Sequence, residues 1–343
     1  MERVAVLTGG GDSSGINAVL RAAAVSADEA GWTLLGIKNG WRGLLDDDLS
    51  ELTPKNTEDI SHLSGTILGT SRTNPFKIEG GVAQIESNLK KNRISSLIAI
   101  GGDDTLGVAG RLAATGLPVV GIPQTIDNDI FGTDYCVGFD TAVNQCVHAI
   151  DAMVPSNNSH QKDMIVEIMG RDNGWITLSA ALAVQADYVV IPERPLELDR
   201  MIASLRERKE EGRRACLVLV AEGIELPWHS RGEVVDAFGN KALEGVAHAM
   251  AAKVTDQTDW QFRVQILGFV QRGGRPTALE MKNSIEMGQY AIELLKAGEL
   301  GYMVARREGR LARLALKDVS GKKCVVPDAA IAIAERYGCF GKR

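Results

Sequence analysis

The chain has 343 residues, 45% hydrophobic and 24% charged, an ordinary globular composition with length enough for two α/β lobes. A formal net charge of -6 excludes broad electrostatic binding to nucleic acid, which needs a basic face, but leaves room for a local basic cleft that takes phosphates. No apolar run approaches the roughly 18 residues of a membrane span, and the start of the chain lacks the apolar region of a signal peptide, so a cytoplasmic protein with no membrane partner is expected.

In chain order, short aliphatic runs alternate with helical stretches. VAVLT (4–8) leads into apolar residues at helical spacing over 17–31, then LLGI (34–37), a second helical stretch over 83–92, LIAIGG (97–102), a third over 106–115, and PVVGIP (118–123). MIVEIMG (164–170), YVVIP (188–192), CLVLVAEG (216–223) and VQILGFV (264–270) follow. Continuous apolar runs suit strands buried on both faces, which predicts mainly parallel sheets sandwiched by helices. A domain change is expected near residue 140, and the charged stretch 223–262 reads as a loop-helix insertion. Cys136, Cys146, Cys216, Cys324 and Cys339 are scattered and form no C-x-x-C pair, as reduced structural thiols would be.

Three strand ends carry polar residues, and in open α/β sheets ligands bind at the carboxyl ends of strands. The first is VAVLTGGGDSSGIN, in which Gly9, Gly10 and Gly11 precede a helix that Ser13 or Ser14 is expected to cap. Glycines let backbone amides approach an anion, and the helix N-terminus adds partial positive charge. A ligand-free tight turn is the lesser reading of this segment alone, which matches neither a P-loop nor a clean G-x-G-x-x-G. The second is LIAIGGDDTLG, where Asp103 and Asp104 enter the same loop. Acids beside a phosphate pocket call for a cation, and Mg²⁺ bridging carboxylate and phosphate oxygens is the usual solution. The third is VVGIPQTIDNDIFGTD, where Thr125, Asp127 and Asp129 share a face in extended geometry and Asn128 points away. A carboxylate so held takes the proton of a sugar hydroxyl as that oxygen attacks phosphorus.

GGGDSSGIN, GGDDT, PQTIDND, SHQK, MGRDNG, VAEG and LGFVQRGG together resemble the phosphofructokinase A family in order and spacing over nearly the whole chain. The resemblance implies two Rossmann-like lobes with the active site in the cleft between them. Residues 1–139 plus about 271–322 would form a donor (phosphate)-binding lobe, and about 140–270 plus 323–343 a sugar-phosphate-binding lobe. It implies Asp127 as the base toward the sugar 1-hydroxyl with Thr125 beside it, Asp103 and Asp129 organising Mg²⁺, and Arg72 and Arg171 stabilising the transferring phosphoryl group. Gly10, Gly11, Asp104 and Gln124 fall on the donor phosphates. Met169, Gly170 and Glu222 fall on the sugar body, and Lys162, Arg263 and Arg272 contact the sugar phosphate. Because the family draws some of these residues from a neighbouring subunit, a homodimer or homotetramer is implied.

The donor divides the family. ATP-using members resemble GGDG, whereas this chain has Asp104 and Val108, which would crowd and repel a nucleotide and look like the pyrophosphate-dependent branch. That branch usually carries lysine where this chain has Gln124. Around the distal phosphate, Lys162 replaces an arginine and loses its bidentate geometry, and Phe269 replaces a hydrogen-bonding residue. Fructose 6-phosphate and a longer sugar or polyol phosphate both stay open as acceptors, as do pyrophosphate and ATP as donors. Of the positions matching the family's effector site, Arg21 and Arg213 remain while Val25, Pro54 and Val154 are apolar, which implies weak allosteric control. Two further readings are a nicotinamide-dependent oxidoreductase, with Asp28 on the ribose, and a catalytically silent sugar-phosphate-binding paralogue; the first leaves TIDND unexplained.

Overall fold

Each aliphatic run expected to be a strand forms one, but the runs are dealt into two separate sheets. The computed structural model describes residues 2–229 and 245–341, so residues 230–244 of the expected insertion lie outside the described residues. The strands are β1 (Arg3–Gly9), β2 (Thr33–Ile37), β3 (Leu49–Leu52), β4 (Ser96–Gly101), β5 (Val119–Pro123), β6 (Asp163–Ile168), β7 (Tyr188–Val190), β8 (Leu217–Ala221), β9 (Phe262–Ile266), β10 (Tyr302–Arg307) and β11 (Arg310–Ala315). The helices are α1 (Ile16–Glu29), α2 (Trp41–Asp46), α3 (Gly81–Lys91), α4 (Asp103–Ala114), α5 (Phe139–His160), α6 (Trp175–Ala183), α7 (Leu198–Glu210), α8 (Val246–Thr258), α9 (Ala278–Lys296), α10 (Leu316–Val319) and α11 (Asp328–Arg336). Of the described residues, 2–141 and 272–324 make one compact unit, and 142–229, 245–271 and 325–341 make another.

In the first unit the sheet runs β11-β10-β5-β4-β1-β2-β3. Its interior pairs are parallel, and both edges turn antiparallel, β2 with β3 and β10 with β11. The alternation of side chains along a strand divides the core in two. Val4, Val6, Ile98, Ile100, Val120 and Ile122 point to one face, where Val19 and Leu20 of α1 and Met287 and Ala291 of α9 cover them. Ala5, Leu7, Leu97, Ala99 and Val119 point to the other, under Trp41, Ile85, Leu106 and Leu112 of α2, α3 and α4. Full burial of each large aliphatic side chain contributes roughly 1.5–3 kcal/mol, so the sheet interior is where the rim loops gain a rigid base.

In the second unit the sheet runs β7-β8-β6-β9, parallel throughout. Ile165, Val218, Val220 and Val190 pack under Met201 and Leu205 of α7 and Met250 and Val254 of α8. The expected strand VQILGFV is shorter than its apolar run. It ends at Ile266, and 268–272 turn into a 3₁₀ helix in which Phe269 is 78% exposed. Among the described residues β9 is an edge strand, with no partner on one side to bury a longer apolar stretch.

Candidate active site

In the first unit, three loops leave the carboxyl ends of adjacent strands, and strand register places them side by side. Gly9 of β1 is level with Gly101 of β4, and Gly101 is level with Pro123 of β5. Small residues are needed here, because a Cβ on Gly9 would come within 2.6 Å of the Thr105 hydroxyl and one on Gly101 would sit 2.6 Å from the Gly9 carbonyl oxygen. The Gln124 N–H donates to the Gly101 carbonyl at 3.0 Å, joining the second and third loops.

The glycine-rich loop is fastened by its neighbours. The Gly10 N–H donates to the Ser71 carbonyl at 3.3 Å, and the Thr70 hydroxyl donates to the Gly10 carbonyl at 2.8 Å. These bonds place the segment carrying Arg72 beside Gly10 and Gly11. Arg272 also belongs here: its guanidinium donates to the Asp12 carbonyl at 3.3 Å, and a Cβ on Gly11 would overlap it. Arg272 therefore lies against the glycine-rich loop of the first unit. The expected serine cap of α1 is corrected. Gly15, at φ 96°, takes the N-cap position without a side-chain bond. Ser14 instead donates to the carbonyls of Gly273 and Gly274 at 3.1 and 2.6 Å, and Ser13 donates to the Ser14 carbonyl at 3.2 Å. The left-handed turn at Gly15 leaves both serines outside capping geometry, free to staple loop to loop.

Asp103 and Asp104 open α4, in its first turn after the N-cap Gly102. The third loop repeats the expected alternation: Thr125, Asp127 and Asp129 are partly exposed, while Ile126, Asn128 and Ile130 are buried. It does so as a turn and not as extended chain, since Asn128 is at φ 52°. The Asp127 N–H donates to the Thr125 hydroxyl at 3.2 Å. Asn128, which pattern reasoning sets aside as the residue facing away, holds the turn together. Its carbonyl oxygen accepts from the Cys136 N–H at 2.8 Å, and its amide donates to the Asp134 carbonyl at 3.3 Å. Asn following an acid in such a turn is a signal in hindsight, because Asn tolerates positive φ.

Gln124 is 2% exposed, and its amide donates to the Ser13 hydroxyl at 2.9 Å. Its side chain is thus spent on the glycine-rich loop. Asp129 is tied to a segment that sequence reasoning missed. The Asp129 carboxylate pairs with the Lys323 ammonium at 3.6 Å, and its carbonyl accepts from the Cys324 N–H at 2.8 Å. Lys322 stacks over Phe131 at 5.0 Å, so three consecutive residues strap the loop. Nothing in the sequence pattern around Lys323 marks it, because the contact is made across nearly two hundred positions of chain.

Among the described residues, no group of three or more Asp, Glu, His or Cys side chains is arranged to enclose a metal ion. Cys136, close to the acidic loop, is fully buried, and its thiol is pushed well above its ordinary range by burial, which argues against a thiolate ligand. Sparse carboxylates at a phosphate-facing rim fit a hard cation that keeps most of its waters and bridges to phosphate oxygens.

The second unit divides its candidates. Met169, Gly170 and Arg171 follow the carboxyl end of β6, and Glu222 follows that of β8. They are brought together: the Gly170 N–H donates to Glu222 at 3.3 Å, the Glu222 N–H to the Ile168 carbonyl at 2.8 Å, and the Met169 N–H to Gln271 at 3.1 Å. Lys162 and Arg263 lie at the other end. Lys162 precedes β6, and Arg263 is level with Met164 and donates to Asn157 at 3.0 Å. The six residues of β6 separate the two groups by roughly 16 Å of strand. One chain does not gather them around a single sugar phosphate.

The phosphofructokinase profile matches residues 3–295. The chain belongs to the phosphofructokinase family. It is 43% identical over 341 residues to a pyrophosphate--fructose 6-phosphate 1-phosphotransferase of Amycolatopsis methanolica, covering 98% of this chain and 99% of that one. It is 38% identical over 339 residues to ATP-dependent 6-phosphofructokinase 3 of Streptomyces coelicolor, covering 97% and 99%. The crystal structure of a pyrophosphate-dependent phosphofructokinase from Nitrosospira multiformis shares the fold, with a TM-score of 0.83 at 21% identity over 95% of this chain and 86% of that one. This phosphofructokinase-family enzyme thus has the expected two α/β units. The oxidoreductase reading falls with the family, and Asp28, its ribose candidate, sits in the last turn of α1.

Proposed function

We propose that the protein transfers a phosphoryl group from pyrophosphate to the 1-hydroxyl of fructose 6-phosphate, giving fructose 1,6-bisphosphate. The observation that carries this reading is the triple rim of the first unit, where the glycine-rich loop, the Asp103–Asp104 turn and the Thr125–Asp129 turn leave adjacent strands in register. Relatives named for pyrophosphate predominate among the most similar, with ATP-dependent members close behind.

In this reading Asp127 accepts the proton of the sugar hydroxyl as its oxygen attacks phosphorus, with the Thr125 hydroxyl fixing the backbone beneath it. Gly10 and Gly11 offer backbone close to the donor, and Arg72 and Arg272 bring guanidinium charge to the same loop. Arg171 stabilises the transferring group from the second unit, where Met169, Gly170 and Glu222 hold the sugar. Asp103 and Asp129 would hold Mg²⁺, Asp129 in place of its pairing with Lys323. When bound, the ion supplies charge neutralisation of the phosphate oxygens. Asp104 and Val108 disfavour a nucleotide by charge and bulk. Gln124 acts through Ser13, holding the donor loop in place of contributing a charge.

Lys162 and Arg263 serve the sugar phosphate of a neighbouring copy of the chain, which accounts for their distance from Met169 and makes a homodimer or homotetramer part of the reading. The first unit is then the donor lobe and the second the sugar-phosphate lobe of a cytoplasmic enzyme. Turnover of the purified chain with Mg²⁺ and fructose 6-phosphate, supplied with pyrophosphate or ATP, tests the proposal. Pyrophosphate is expected to support turnover at least about tenfold faster, a difference of about 1.4 kcal/mol that the Asp104 carboxylate facing a nucleotide phosphate would supply by repulsion. ATP-only turnover would reassign the donor, and binding of sugar phosphate without turnover would favour the silent paralogue. A panel of sugar and polyol phosphates, ranked by kcat/KM, settles the acceptor.

A further inference from the structure

Glu280 has no accessible surface, and sequence reasoning passed it over. It stands at the third position of α9, where its N–H donates to the hydroxyl of the N-cap Thr277 at 3.1 Å. In a capping box such a glutamate turns back to the N–H of its own cap. Here it turns to a different helix. One carboxylate oxygen accepts from the Gly138 N–H at 2.9 Å; the other accepts from the Thr141 N–H at 3.3 Å and the Thr141 hydroxyl at 3.2 Å. The Ser284 hydroxyl approaches at 3.5 Å, and the Tyr135 phenol lies nearby.

Gly138 immediately precedes α5 and Thr141 is its third residue; together they close the loop that carries Thr125, Asp127 and Asp129. The loop's two limbs are already joined above them, the Thr125 N–H donating to the Val137 carbonyl at 3.1 Å. Gly138 turns at φ 106°, a conformation that favours glycine. On the opposite side, Gly15 at the entry of α1 approaches so closely that a Cβ there would stand 3.0 Å from a Glu280 oxygen. A single buried carboxylate therefore touches the foot of the acidic loop and the helix entry behind the glycine-rich loop.

We propose that Glu280 is a positioning residue for phosphoryl transfer, its ionised carboxylate holding the 124–138 loop, and with it Asp127, in register with the glycine-rich loop. The inference rests on the role given above to Asp127. An ionised carboxylate accepts charge-assisted bonds from both N–H groups at a helix N-terminus, where the macrodipole favours negative charge. Once protonated, one of its oxygens carries a hydrogen and no longer accepts fully, so the grip on Gly138 and Thr141 loosens. Burial pushes the Glu280 carboxyl up to about 7, against the opposing pull of its hydrogen bonds from Gly138 and Thr141. The titratable groups around it are Tyr135, pushed above its ordinary value by burial and by Glu280, and Asp140 on α5, which takes the Thr277 hydroxyl. Gly15 on the α1 side and Ser284 on α9 bring no charge.

Glu280→Gln in the full chain keeps the size and removes the ionisation. With pyrophosphate and fructose 6-phosphate, its kcat at pH 8 is expected to fall about tenfold with KM within about twofold, since small misplacement of a reacting group is expensive. The acid limb of the wild-type kcat profile near pH 7 should be missing from the variant. In the substrate-free chain, amide exchange over 136–142, corrected for its intrinsic rate, should shift in protection across pH 7 in the wild type and stay level with pH in the variant. Superimposable kcat profiles in the two proteins overturn the proposal, whatever the exchange shows. A wild type that turns over no substrate defeats the reaction assigned above, and the exchange comparison then decides the positioning by itself. Should Glu280→Gln not fold, Thr141→Val removes one donor to the carboxylate and is expected to raise the acid limb; an unmoved limb overturns the proposal.

Discussion

The two units anchor their functional side chains in contrasting ways. The rim of the seven-stranded sheet is held from behind: Gln124 grips Ser13, Asn128 grips Cys136, and Ser14 grips the carbonyls of Gly273 and Gly274. These buried polar residues brace the loops that carry the ones facing the rim. The four-stranded sheet gathers Met169, Gly170 and Glu222 at one end of β6 and leaves Lys162 and Arg263 at the other. A braced rim suits chemistry, where position governs rate; a divided set suits a ligand completed by a second copy of the chain.

The widest break in that comparison would come from Asp127→Asn. Loss of the base is expected to reduce kcat by about a thousandfold with little change in KM, in steady-state assays with pyrophosphate. A smaller loss would mean that the rim is a scaffold and the proton goes elsewhere. Replacing Lys162 and Arg263 together with alanine should lower kcat/KM for the sugar phosphate about a hundredfold, through the loss of two charged phosphate contacts. Coexpression of that double variant with Asp127→Asn sharpens the point. If sites are shared between copies, mixed oligomers recover activity that neither parent has, and no recovery would refute the sharing.

Gln124→Ala tests the bracing itself. Removing its bond to Ser13 should raise KM for pyrophosphate about tenfold and leave KM for the sugar phosphate unchanged, as the loss of one buried hydrogen bond allows. Glu280 gives a prediction for stability with a definite sign. Its carboxyl is raised to about 7 in the fold, so proton binding stabilises the native state fully below about pH 4.5 and that contribution is lost as pH rises through about 7. Thermal melts of wild type and Glu280→Gln should therefore move apart in the variant's favour from pH 5 to pH 8. The smallest effect is expected from Lys323→Met. Its ammonium is partly exposed, and such pairs contribute about 1 kcal/mol or less, so the Mg²⁺ concentration for half-maximal activity should fall by no more than about fivefold.

The runs that became β1, β2 and β4–β9 are legible because burial on both faces makes them continuously apolar. The strands β3 and β11 are not, since as antiparallel edges they mix Ser50, Glu51, Arg310 and Arg313 with apolar residues at partly exposed positions. At the site, motifs point to residues that face a ligand: Gly10, Asp103, Thr125 and Asp127 stand at strand ends where the pattern places them. Residues that act from behind escape such reading. Asn128 looked like the one to ignore, Lys323 arrives from a distant segment, and the Thr277–Glu280 spacing announces a helix start while concealing that the carboxylate serves another helix. The serines after Gly11 misled for a related reason, because local spacing suggested a cap and tertiary contacts claimed them first.

The parallel seam between β5 and β10 has a consequence in time. β10 is translated only after residues 142–271, which hold most of the second unit, so the growing chain exposes the unpaired flank of Val119–Pro123 while they are made. At about 5–20 residues per second, the interval is on the order of tens of seconds, and α1 spends it without α9, the helix that covers it in the finished fold. A nascent chain in this condition offers an open β-flank and a bare apolar helix face, both inviting self-association. Synthesis of this enzyme at high yield should therefore benefit from slowed translation less than from a chaperone that shields the first half until the C-terminal strands emerge.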